Sequence, residues 1–315
     1  MPGSLQSWHE SGAKRAIIEF VERVTQPGGP DFLAPADRIA VFDNDGTLWS
    51  EQPFYVQGLF AFDRVRTLAG AHPEWAQRQP FKAVLERDWR TLSTLGDQAL
   101  LEIVMATHAG MTTTEFTATV TEWLAAARHP TLHRRYTDLV FAPMLELLTF
   151  LRGTGFKTFI VSGGGIEFVR TFSERIYGVP PEQVVGSSIV TKLETRGDEL
   201  VLVRQPQVHF IDDHEGKPVG INQHIGRVPV AAFGNSDGDY QMLDWVTRGA
   251  GPRLGVLLHH DDADREFAYD RDSAAGRLDR ALAEASARGW PVVSMRNDWS
   301  KVFALGEGAD QETGS

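Results

Sequence analysis

Arg38-Ile39-Ala40-Val41-Phe42-Asp43-Asn44-Asp45-Gly46-Thr47 is a short apolar run that ends abruptly on two carboxylates and a glycine. An apolar run without polar alternation suits a strand buried on both faces, as in a parallel sheet. Similar runs recur at Thr158 to Val161, Val228 to Phe233, Leu254 to Leu258 and Pro291 to Ser294. Helical spacing precedes the first and separates most of the others. Ala13 to Val24 places Ile17, Phe20, Val21 and Val24 on one face, and Pro143 to Arg152 and Ser273 to Ala287 also read as helices. Strand, helix, strand in repetition predicts an α/β fold, a doubly wound parallel sheet.

Two regions break that rhythm. Between Pro53 and Tyr136 no strand is evident, and Tyr55, Leu59, Phe62 and Val65 have helical spacing. Phe81, Val84, Leu85, Trp89 and Leu92 read as a second helix, and Leu100, Leu101, Val104 and Met105 as a third. Thr112-Thr113-Thr114-Glu115 has capping-box spacing ahead of a fourth, with Phe116, Val120, Trp123 and Leu124. Phe54, Tyr55, Phe60, Trp75, Trp89 and Trp123 are read mainly as core of this insertion. Val184 to Val203 is rich in β-branched residues and interrupted by Arg196-Gly197-Asp198, which predicts a β-hairpin. The expected organisation is a Rossmann-like core over 13–52 and 137–305, an inserted all-helical cap over 53–136, and a disordered tail at 306–315.

The 315 residues are 42% hydrophobic and carry a net charge of -11, with a pI near 5.4. That balance argues against a general nucleic-acid surface but leaves room for a local anion site. With no cysteine in the chain, disulfides, thiolate metal sites and cysteine nucleophiles are excluded. Met1 to Glu10 lacks the layout of a signal peptide and no segment reads as membrane-spanning, so the expectation is a cytoplasmic protein without a membrane partner. Oligomeric state has no signature in the sequence.

In a parallel α/β sheet ligands bind beyond the carboxyl ends of the strands. After the first run come Asp43 and Asp45, two carboxylates able to converge if the chain turns at Gly46. After the second come Ser162 and Gly163-Gly164-Gly165, then a helix from Ile166: a hydroxyl and backbone N–H groups suited to an anion. After the third comes Gly234-Asn235-Ser236-Asp237-Gly238-Asp239, an oxygen-rich loop suited to a hard cation. Phosphoryl transfer needs an in-line nucleophile, donors to the phosphate oxygens and a metal, and the loops offer a candidate for each. A calcium loop of EF-hand type is the rival for Asp43 and Asp45, but a strand leads in where that motif needs a helix.

These residues resemble the ordered motifs of the haloacid dehalogenase superfamily. Asp43 to Thr47 resembles its first motif, Ser162 its second, Lys217 in Gly216-Lys217-Pro218 its third, and Gly234 to Asp239 its acidic fourth. The resemblance implies Asp43 as nucleophile and Asp45 as general acid/base. It implies Mg2+ on the Asp43 carboxylate, the Asp45 main-chain carbonyl and an acidic-loop residue, with Asn235 and Asp239 in the two acidic positions. Thr47, Ser162, Gly163 and Lys217 would hold the phosphoryl oxygens and offset the charge of the nucleophile. The helical insertion is placed as in the phosphoserine-phosphatase-like branch. The implied activity is Mg2+-dependent hydrolysis of a small phosphorylated metabolite through an aspartyl-phosphate.

Two positions depart from that pattern. Asn235 stands where many relatives have Asp, removing one negative charge that Asp237 or Asp239 would have to supply. Glu51 lies one position short of the glutamate that meets the substrate amine in phosphoserine phosphatases, with Gln52 in its place. Alternatives on the same scaffold are a phosphotransferase or phosphonate hydrolase, for which Lys82 is the insertion's only lysine, and a catalytically weak phosphate-binding module, which Asn235 would suit. His259-His260-Asp261-Asp262 reads as a surface or active-site-rim loop, since adjacent strand histidines point to opposite faces.

Overall fold

The computed structural model describes residues 5–304 apart from 93 and 95, with Asp97 described through its backbone alone. The tail expected at 306–315 lies outside the described residues. The strands are β1 (Ile39–Phe42), β2 (Lys157–Gly165), β3 (Val184–Arg196), β4 (Glu199–Phe210), β5 (Ala231–Gly234), β6 (Leu254–Asp261), β7 (Ala268–Tyr269) and β8 (Val292–Ser294). They form one sheet in the order β4-β3-β2-β1-β5-β6-β7, with β8 paired to β6. β3-β2-β1-β5-β6 and the β6–β8 pair are parallel, whereas β4 and β7 join antiparallel. The expected doubly wound α/β sheet is therefore present.

The unbroken apolar runs divide their side chains between two cores. Ala40, Phe42, Ile160, Val184, Ala231 and Phe233 enter one cluster with Ile17, Phe20, Val21 and Val24 of the helix Gly12–Thr25. Val41, Val161, Val185, Ala232 and Leu257 enter the other with Tyr240, Leu243, Ala281 and Ala285. Each strand thus feeds both faces alternately, and helices cover both.

Several predicted elements move when their surroundings are seen. The helix expected from Ser273 begins only at Arg280, and the strand expected from Val228 begins at Ala231. Phe81 to Leu92 is two short helices, Phe81–Glu86 and Trp89–Leu92, because Arg87 adopts φ 56° between them. The hairpin is longer than expected: β3 and β4 pair from Arg196↔Glu199 to Ser188↔Phe210. His259 and His260 are not in a loop. They lie in β6, with His260 buried and His259 paired to Asp270.

Between residues 53 and 136 the described residues form helices and no named strand: Val56–Leu68, Phe81–Glu86, Trp89–Leu92, Gly96–His108 and Thr113–Ala126, with short 3-10 turns. The hairpin clamps this stretch. Gly110 N–H donates to the Arg204 carbonyl at 2.8 Å and Arg204 N–H to the Met111 carbonyl at 2.9 Å. The Arg204 guanidinium lies 3.8 Å from the Phe116 ring centroid. Phe60, Trp75 and Phe116 are buried, whereas Trp89 is 44% exposed. The helix carrying Phe116 starts with a full capping box, the Thr112 hydroxyl accepting from Glu115 N–H and the Glu115 carboxylate from Thr112 N–H. Thr112→Ala is expected to lower the unfolding free energy by about 1 kcal/mol, measured by chemical denaturation.

Candidate active site

The motif loops meet because β1 lies between β2 and β5, with Phe42 registered against Ile160 and Phe233. The residues after each strand end therefore share one edge of the sheet.

Lys217 enters this edge from the first turn of the helix Gly216–His224. Its ammonium donates to Asp43 Oδ1 at 2.7 Å, Asp239 Oδ1 at 2.6 Å and the Val161 carbonyl at 3.1 Å. All three donors are used. Burial opposes its charge, yet the Asp239 and Asp43 carboxylates hold its pKa well above the usual lysine value. Burial and then the Asp239 charge push Asp43 well above the carboxylate range, with Lys217 opposing.

Asp45 Oδ1 accepts from the Trp49 indole N–H at 2.9 Å, and Trp49 stacks on Phe172 with centroids 4.6 Å apart. Burial raises the Asp45 pKa while that hydrogen bond lowers it. A carboxyl group that keeps its proton longer than usual suits a general acid. Trp49→Phe is expected to move the alkaline limb of a kcat/KM–pH profile upward, because the bond that favours ionised Asp45 is lost. An unmoved limb would remove Asp45 from that role.

Gly46 takes φ +75°, and a Cβ there would meet Asn235 Nδ2 at 2.2 Å and Glu51 Oε1 at 2.3 Å. The turn therefore requires glycine for backbone and for space. Its carbonyl accepts from His260 Nε2 at 2.7 Å, so β6 braces the loop.

The other anticipated residues separate into different tasks. Thr47 is fully buried, donates its hydroxyl to Asn235 Oδ1 at 2.9 Å, and borders a small apolar void with Met144 and Phe233. It ties two loops together and does not line the main cavity. Ser162 is buried and its hydroxyl accepts from Gly164 N–H at 3.0 Å, while Gly165 N–H donates to Gln57 Oε1 at 2.6 Å. The glycines continue β2, with a register shift between Ser162 and Gly165. Two of the N–H groups expected to be free are thus engaged, and Gly163 lines the cavity. Asp239 Oδ2 accepts from the Asn235 and Ser236 N–H groups at 3.0 and 3.1 Å. Asp237 turns away: it accepts from the N–H groups of Asp279, Arg280 and Ala281 and caps the helix Arg280–Arg288.

Glu51, Trp49, Gln57 and Tyr269 are the participants that motif reading did not assign. Glu51 Oε1 accepts from Asn235 Nδ2 at 2.7 Å and from the Tyr269 hydroxyl at 2.8 Å. Tyr269 is 218 positions away in sequence, so no spacing could have joined them. Burial and then the Asp45 charge push Glu51 well above the carboxylate range.

Asp43, Asp45, Glu51, Gly163, Lys217 and Ser236 line a cavity of about 460 Å3 that extends over Leu101, Val104, Met105 and Ile189. Lys82 is not among its lining residues and lies 3.9 Å from Glu86.

The donor set suits a hard cation. Asp43, Glu51 and Asp239 are buried and Asp45 partly so, while Lys217 is the one cation in contact with them among the described residues. No three His, Asp or Glu side chains among the described residues converge as a ready-made metal cage. The arrangement instead offers one or two carboxylates, a main-chain carbonyl and room for phosphate and water, as Mg2+ prefers.

The chain matches the haloacid dehalogenase-like hydrolase family model over residues 40–244 and belongs to that family. Among curated proteins none matches. Solved structures that it resembles include a Bordetella pertussis Tohama I protein of unknown function, 18% identical, with a TM-score of 0.51 and 81% of this chain and 97% of that one covered. A functionally unknown protein from Anaerococcus prevotii DSM 20548 is 17% identical, with a TM-score of 0.56 and coverage of 89% and 91%. A probable phosphoserine phosphatase from Vibrio cholerae is 18% identical, with a TM-score of 0.42 and coverage of 84% and 62%.

Asp212, fully buried beyond β4, sets a pH test. Burial pushes its carboxyl up to about 8 from 3.8, with Lys217 opposing. The folded state therefore binds a proton that the unfolded chain has released, so this contribution to stability is complete below pH 3.8 and lost as pH rises through about 8. Asp212→Asn is expected to flatten the fall in thermal stability across that window.

Proposed function

We propose that this chain is a Mg2+-dependent phosphomonoesterase with Asp43 as nucleophile and Asp45 as general acid/base. The observation carrying this reading is the single Lys217 ammonium that binds Asp43 and Asp239 together at the end of the sheet. Lys217 occupies Asp43 Oδ1, and no hydrogen bond holds Oδ2 among the described residues. Asp43 attacks phosphorus, the ester P–O bond breaks with its electron pair going to the leaving oxygen, and Asp45 protonates that oxygen. Asp45 then takes a proton from water as the water attacks the aspartyl-phosphate, releasing phosphate and restoring Asp43. Mg2+, held by the Asp43 carboxylate, the Asp45 main-chain carbonyl and the Asn235 loop, would offset charge on the transferring phosphoryl group.

The helices of residues 53–136 act in this reading as a cap that limits water at the reacting centre. Gln57 docks them onto Gly165, and Leu101, Val104 and Met105 give the cavity an apolar wall. Both cationic side chains lining the cavity are already ion-paired, Lys217 with Asp43 and Asp239, and Arg204 with Glu167. Among the described residues a second anionic group on the substrate would find no free cation there, which favours a phosphate ester with a neutral, largely apolar organic part. The described residues contain no helix long and apolar enough to cross a membrane.

Asp43→Asn is expected to reduce Mg2+-dependent phosphate release from an aryl phosphate by roughly a thousandfold or more. Full activity in that variant would end the nucleophile assignment. The wild type is expected to favour aryl or alkyl phosphates over phosphoserine in kcat/KM, and the reverse order would overturn the substrate reading alone.

A further inference from the structure

Asn235 removes a negative charge from the metal pocket, and neither acidic neighbour in its loop is free to replace it. Asp237 is committed to the start of the helix Arg280–Arg288, through three N–H groups. Asp239 has one oxygen on Lys217 and the other on the backbone of its own loop. The nearest remaining carboxylate is Glu51, which is 2% exposed and sits directly on the Asn235 amide.

Glu51 is held there by construction. A Cβ at Gly46 would come within 2.3 Å of its Oε1, and one at Gly276 within 1.8 Å. Both glycines have positive φ, at 75° and 66°, so two turns leave a slot for this carboxylate. Tyr269 closes the slot with its hydroxyl on the same oxygen, and stacks on His260, which holds the Gly46 carbonyl.

The two hydrogen bonds do not require a charge, since a glutamine oxygen could accept both. Among the described residues Glu51 has no cationic partner, and a buried carboxylate without a counter-charge is costly. Its position beside the turn that follows Asp45, at the border of the cavity, gives that charge a use.

We propose that Glu51 is the anionic residue of the metal pocket in this chain, taking over the charge that Asn235 lacks while the Asn235 amide holds it in place. The carboxylate comes from the segment after β1 rather than from the loop after β5, and the pocket keeps its charge. This inference rests on the Mg2+-dependent reading above.

Calorimetric titration of the full chain with Mg2+, without substrate, tests it. Glu51→Gln is expected to raise the Mg2+ Kd by about tenfold or more, and adding Asn235→Asp to that variant to bring it back within about threefold of wild type. An unchanged Kd in Glu51→Gln, or failure of the folded double variant to recover, overturns the assignment. A merely structural Glu51 would lower Tm without moving the Kd, and a substrate-amine contact would move KM for amine-bearing phosphates alone. Either result counts against it. Should Glu51→Gln not fold, Glu51→Asp, which withdraws the carboxylate from Asn235, must weaken Mg2+ binding for the inference to stand. A wild type that binds no Mg2+ ends the metal reading itself, whereas equal binding by wild type and Glu51→Gln ends only the role of Glu51.

Discussion

The Lys217 ammonium is shared between Asp43 and Asp239 at a sheet edge where Asp45 and Glu51 also gather. One buried cation among these carboxylates fixes much of what the site can be. It holds Asp43 by one oxygen, and it ties the loop after β5 to Asp43 through Asp239. It also leaves the cluster short of positive charge. Burial and mutual repulsion push Asp43 and Glu51 well above the ordinary carboxylate range. A divalent cation would offset that deficit.

The scaffold makes such crowding tolerable by using backbone geometry rather than further charges. Gly46 and Gly276 are placed where any side chain would strike Glu51. His260 braces the Gly46 carbonyl, and Trp49 holds Asp45. Gly46 and Trp49 lie in the loop after β1, His260 in β6 and Gly276 after β7. Packing and these second hydrogen bonds hold the side chains of the site in place.

The helices of residues 53–136 are held from two sides. Gln57 reaches back to Gly165, and the β3–β4 hairpin grips the insertion through Arg204. The cavity has an apolar wall at Leu101, Val104 and Met105, with Asp43, Asp45, Glu51 and Lys217 at the sheet edge. Family membership accounts for the core. It does not choose the substrate, because one fold serves many substrates.

The sequence by itself determined the parallel sheet, the helical stretch at 53–136 and the family, because buried strands and capping boxes leave local patterns and the motifs lie just beyond strand ends. It also exposed the missing charge at Asn235. It placed His259 and His260 in a loop, since the end of a strand depends on partners such as β7 that cannot be read locally. It could not assign Asp237 to a helix cap, Thr47 to a loop-to-loop bond, or Glu51 to the side of Asn235. Those outcomes turn on contacts between residues far apart in the chain, Thr47 to Asn235 and Glu51 to Tyr269 among them. Hydrogen-bond direction and exclusion of volume decide them, and both exist only once the sheet has brought its loops to a common edge.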